Sequence, residues 1–124
     1  RCTSVFRFDR TRAAWTKSVL RAARVLGLTD VLLATALGLE AADFTRLSQG
    51  TYLLDPDTPE GLRALQLVQI CIALESVVGT TPLKLQAWMC SHNESLGAVP
   101  MDRIQSPEGL VATLDYLEQV RGLG

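Results

Sequence analysis

Aromatic residues make up only 6% of this 124-residue chain, and no long stretch alternates β-branched with polar side chains. Both shortages exclude an all-β sandwich or barrel and favour compact helices. One histidine (His92) and three cysteines (Cys2, Cys71 and Cys90) leave no ligand set with ordinary metal-site spacing. Cys90 and His92 stand too close in sequence to align as a nucleophile and its base. An odd cysteine count with no signal peptide ahead of it argues against a secreted disulfide scaffold and for a reducing cytoplasm. There is no glycine-rich phosphate loop: Gly27, Gly38, Gly50 and Gly61 are isolated helix-end or turn glycines. Asp55 and Asp57 sit in a turn, where aspartate bonds its own backbone. A membrane span needs about 20 predominantly apolar residues, whereas Arg63 and Glu75 bracket eleven, two of them Gln66 and Gln69. The expectation is a chain with no metal, no cofactor, no membrane span and no enzymatic activity.

What is present is apolar bulk, at 48% of residues, enough for a core in one domain or two very small modules. Charge nearly balances, with 12 cations and 13 anions, yet it is unevenly spread. Residues 1–24 carry a net +6 and residues 25–124 a net −7. Helix starts are clearly marked by proline after a hydroxyl residue, in Thr58-Pro59-Glu60, Thr81-Pro82 and Ser106-Pro107-Glu108. Gly79 and Gly122 sit where left-handed C-terminal caps are wanted. The pattern predicts helices at roughly 10–26, 29–36, 41–48, 59–78, 82–90, 100–104 and 107–121, after an arm over residues 1–9 that is loose or, at Val5-Phe6-Arg7-Phe8, extended. The helix at 59–78 is apolar on nearly every side and must be covered by its own domain, a second copy, or both. It is the expected central strut and the core of a homodimer formed through residues 1–80.

Residues 28–50 place Ala34 where two helices cross, Gly38 at a left-handed turn, and Leu39, Phe44 and Leu47 where a second helix packs back on the first. This pattern resembles a helix-turn-helix of the lambda-repressor-like kind, with a plain helical hairpin as the alternative. Further on, Trp88 is followed by Asn93, Leu96-Gly97, Pro100, Met101, Ser106 and Gly109, then by a last helix reaching Arg121-Gly122. This run resembles the toxin-binding region of the Xre/MbcA/ParS antitoxins, which pair with RES-domain toxins. Leu53-Leu54-Asp55-Pro56 before a long apolar helix is similar to members with a helix-turn-helix in front. The resemblance covers about residue 17 to the end.

The resemblance implies an all-α fold, with a helix-turn-helix module at 10–79 and a toxin-binding module at 80–124. It also implies inhibition of a NAD-degrading or ADP-ribosylating RES-domain toxin by occlusion of its active site. Physically, Asn93 can tie a loop and Gly97 permits a turn closed to other residues, so the loop is a pre-organised docking surface. The expected toxin contacts are Asn93, Glu94, Leu96, Gly97, Pro100, Arg103, Tyr116, Arg121 and Gly122. Trp88, Leu96, Ile104, Leu110, Leu114 and Leu117 have the spacing of the module's own core. The rival reading is a phage-repressor-like DNA-binding regulator without a toxin, and both roles can hold if the chain represses its own operon. The reading helix offers base edges only Thr45, Arg46, Ser48 and the trailing Gln49, and Asp30, Glu40 and Asp43 around it repel phosphate. DNA binding is therefore expected to be weak and to lean on Arg10, Lys17, Arg21 and Arg24.

Overall fold

The computed structural model describes the backbone of residues 2–123 and the side chains of residues 12–122. Its helices are α1 (Cys2–Leu26), α2 (Asp30–Leu37), α3 (Ala41–Gln49), α4 (Pro59–Val78), α5 (Pro82–Cys90), α6 (Pro100–Arg103) and α7 (Pro107–Leu123). No strand forms among the described residues, and a single isolated bridge joins Asn93 to Ala98. The fold is all-α. Helices α2 to α7 start within a residue of the positions read from the sequence. The exception is α1, which begins at Cys2 and not near residue 10, so Val5–Phe8 is neither extended nor loose. No glycine or proline stands between Cys2 and Leu26 to interrupt the helical hydrogen-bond ladder.

Two helix starts share one construction. In Thr58-Pro59-Glu60-Gly61 and Ser106-Pro107-Glu108-Gly109 the hydroxyl accepts from the backbone N–H of the glycine, at 3.1 Å in both. Thr81 makes no such bond. Neither Gly61 nor Gly109 has a positive φ; each instead lets its helix lie against a carbonyl six residues back. A Cβ on Gly61 would stand 1.7 Å from the Asp55 oxygen, and one on Gly109 1.5 Å from the Arg103 oxygen. Gly61 is thus a close-approach glycine, not a turn glycine. The left-handed caps expected at Gly79 and Gly122 do not form. Gly79 has positive φ but an extended ψ of 177°, and Gly122 lies inside α7, which continues to Leu123.

Helix α4 is the strut, packed most extensively on α7 and α1 and also against α2 and α5. Its Leu67, Ile70, Ala73 and Leu74 meet Val19 and Leu26 of α1, Leu85 and Met89 of α5, and Leu110 and Leu117 of α7 in one core. Each large side chain so buried contributes about 1.5–3 kcal/mol. The core therefore runs unbroken across residue 79. By length and composition α4 is apolar enough to cross a membrane, but here it is the helix the others pack around.

Polar side chains fasten the helices to one another and to the loop before the strut. Arg12 donates to the Leu53 and Leu54 carbonyls, and Thr16 Oγ1 accepts from the Leu54 N–H at 3.1 Å. Arg63 of α4 donates to the Leu37 carbonyl at the end of α2, and Gln86 of α5 to the Val25 carbonyl near the end of α1. The bonds to Leu37 and Val25 satisfy carbonyls that helix ends leave unpaired.

Candidate functional site

The segment between α5 and α6 is a small closed loop. The Asn93 N–H donates to the Ala98 carbonyl at 2.9 Å, and the Asn93 carbonyl accepts from Gly97 at 2.8 Å and from Ala98 at 3.3 Å. The Asn93 side chain closes the turn by accepting from the Leu96 N–H at 3.1 Å. Gly97 sits at φ +69° with open space around it. Asparagine is used here for its side-chain acceptor and glycine for its backbone freedom, as read from the sequence. Glu94, Ser95 and Gly97 are exposed, Asn93 and Leu96 half-buried, and Pro100 is buried under the loop.

Around the loop stand α6 and the faces of α5 and α7. Trp88 of α5 stacks on Tyr116 of α7, ring centroids 6.5 Å apart and planes 15° from parallel. Both rings are half-buried, so Trp88 is not purely a core residue as its spacing implied; nor are Leu96 and Leu114, also half-buried. Ile104, Leu110 and Leu117 are fully buried, as expected. Arg103 is half-buried, and its Nε has no hydrogen-bond partner.

The family comparison decides what this surface belongs to. Residues 73–122 match the antitoxin Xre/MbcA/ParS C-terminal toxin-binding domain. This part of the chain is similar to the toxin-binding domain of that antitoxin family. No curated protein matches the chain. The family is not an enzyme class. The match begins inside α4, so the matched region includes the end of the strut on which α7 packs. It covers the loop, Trp88, Arg103, Tyr116, Arg121 and Gly122. Arg121 and Gly122 are exposed near the end of α7, where Arg121 pairs with Glu118 at 3.8 Å. Arg121 lines a separate cleft with Ser76, Val77 and Val120, so the structure does not gather it with the loop.

Ahead of the toxin-binding domain, the expected DNA contacts divide. The Arg10 side chain lies outside the described residues. Lys17, Arg21 and Arg24 are exposed along α1. On α3, Thr45 returns its hydroxyl to the Ala41 carbonyl. Arg46 is held by the Asp43 carboxylate and lies over the Tyr52 ring, 5.8 Å from its centroid. Tyr52 donates to Glu60 at 3.1 Å, and burial together with that carboxylate pushes its phenol pKa up. The strongest base-reading group on α3 thus has a carboxylate and an aromatic ring beside it, in a pair that is itself exposed.

Cys71 is buried beside Glu75, and desolvation first, then that charge, push its thiol up to about 11. It stays protonated at neutral pH, where only a thiolate is nucleophilic. Cys90 and His92 are exposed. No group of three metal-binding side chains occurs among the described residues.

Proposed function

We propose that the chain is a cytoplasmic antitoxin that neutralises a cognate RES-domain toxin, a NAD-degrading or ADP-ribosylating enzyme, by docking its C-terminal domain over the toxin's active site. The observation that carries this reading is the family match over residues 73–122, on a surface whose loop is already closed before any partner arrives. A pre-closed loop loses little conformational entropy on docking. The Trp88–Tyr116 stack supplies the large amphipathic area that dominates interface energetics, and Glu94 and Arg103 flank it with charge. The chain itself performs no reaction in this scheme; it excludes substrate. Co-expression of the full chain with a RES-domain toxin should restore growth, and the purified chain should stop NAD consumption at a stoichiometric ratio. Continued NAD consumption with saturating chain would overturn the reading.

In this proposal residues 10–79, through α4, form the helix-turn-helix module, which dimerises through residues 1–80 and meets the operon's DNA weakly. With Arg46 tied to Asp43 and Tyr52, binding leans on the phosphate contacts of α1. Arg46→Ala should then leave duplex affinity within about twofold, whereas removing Arg10, Lys17, Arg21 and Arg24 together should abolish binding and flatten its salt dependence. Fluorescence anisotropy with operator and scrambled duplexes checks this. Sequence preference lost in Arg46→Ala alone would restore α3 as the reader.

A further inference from the structure

We propose that α4 carries the seam of a two-fold dimer in which each copy lays its α1 over the α7 of the other. This rests on the dimer reading above and names the face that forms it.

The uncovered residues of α4 are aligned, not scattered. Leu62, Leu65, Gln69, Ile72 and Ser76 are exposed and recur at intervals of three, four, three and four. At 3.6 residues per turn these five fall within an arc of about 80°, the narrow stripe of a helix that pairs with another helix. Leu62 and Ile72 are 52% and 50% exposed, so the line leaves substantial apolar surface in water. Gln69 lies at its centre, where a polar residue opposite its own copy fixes register.

The ridges flanking the seam differ in charge. On one side a groove of about 200 Å³ lies between α1 and α4, with Arg21 and Val25 on the α1 wall and Val68, Ile72 and the half-buried Glu75 on the α4 wall. The crest of α1 there carries exposed Lys17 and Arg21, while Arg24 lines another cleft with Asp30 and Phe44. On the other side, α7 turns Tyr116 towards α5, which leaves Val111, Asp115 and Glu118 towards the seam side and exposed. The Glu118–Arg121 pair is itself exposed, so it holds Glu118 only weakly. Arg21 stands level with Ile72 in the groove. Ser76 and Val77 share a cleft with Val120 and Arg121, so α7 runs alongside α4 in the same direction and brings Asp115 and Glu118 to nearly that level, with Arg121 one turn beyond at the end of the seam.

A two-fold axis lying in this face has two main settings. Along α4, it sets α1 over the partner's α7, basic on acidic, at both edges. Across α4, it sets α1 over α1 and α7 over α7, like on like. Charge selects the first setting, and the apolar seam supplies the burial.

Sedimentation equilibrium of the full chain, with circular dichroism confirming helical content, tests this. Wild type should be a dimer. Arg21→Glu, and separately Asp115→Arg with Glu118→Arg, should each raise the dimer Kd by about tenfold or more, and the combined variant should return to within about threefold of wild type. A monomeric wild type at micromolar concentration would overturn the dimer reading itself. A wild-type dimer that neither reversal weakens would overturn this face and leave the dimer reading standing. Two weakened variants with no recovery on combination would overturn the α1-over-α7 setting. Reversals that spare the dimer but lose toxin inhibition would give the face to the toxin instead.

Discussion

Gly109→Ala is expected to destabilise the chain by about 3 kcal/mol or more, a large share of the roughly 5–15 kcal/mol that holds a domain together. Alanine in a helix ordinarily gains about 1 kcal/mol over glycine. Here that gain is overwhelmed, because the new methyl carbon would stand 1.5 Å from the Arg103 carbonyl oxygen. The obstacle is backbone, so no side chain can swing aside. Either α6 or the first turn of α7 must move, and Leu110, fully buried one residue later, moves with it. Gly61→Ala repeats the conflict at α4, against an Asp55 carbonyl that already accepts from both the N–H and the hydroxyl of Thr58. Urea unfolding followed by circular dichroism should show the midpoint of both variants falling far below that of Gly50→Ala. At Gly50 the backbone is left-handed but nothing lies within 4 Å, and the cost is about 1–2 kcal/mol. Equal midpoints for Gly109→Ala and Gly50→Ala would contradict the close-approach reading.

The same two glycines mark the limit of what the sequence reveals. Thr58-Pro59 and Ser106-Pro107 announce helix starts because a fixed φ and a hydroxyl acceptor act within one turn. The six-residue chain bend that brings the Asp55 or Arg103 carbonyl against the helix is not encoded in that turn, so Gly61 reads as punctuation. Asn93 and Gly97 were legible for the opposite reason: their bonds close within five residues. Trp88 was not, since its apolar spacing fits a core position and only the placement of Tyr116 on another helix shows the ring half out of water. The start of α1 was obscured by a run of cations that resembles a solvated arm. For α4, composition showed a helix apolar all round; which residues stay uncovered was decided by where α1, α5 and α7 settle, and only then does the three-four spacing stand out.

Gly97→Val should cost the chain its neutralising power while leaving its helices in place. Gly97 adopts φ +69° with nothing within 4 Å, so a valine there meets no neighbour and pays only the left-handed backbone penalty, about 1–2 kcal/mol and more for a β-branched residue. That penalty falls on the turn carrying the Gly97 and Ala98 N–H bonds to Asn93, so the loop opens before any helix melts. Gly50→Val is the matched control, because Gly50 has a similar φ of +82° and equally open space at the end of α3. Both variants should lose comparable thermal stability. Only Gly97→Val should lose affinity for a RES-domain toxin, by roughly tenfold or more, since an opened loop must be re-ordered on docking and its exposed Glu94 and half-buried Leu96 no longer meet the partner in one geometry. Asn93→Ala should follow Gly97→Val, having lost the side-chain acceptor for the Leu96 N–H, with a smaller stability change because its own backbone is unstrained. Toxin binding by calorimetry, read beside growth on co-expression, separates the cases. If Gly97→Val and Gly50→Val neutralise equally well, the loop is scaffold, and the docking surface must be sought on the Trp88–Tyr116 face.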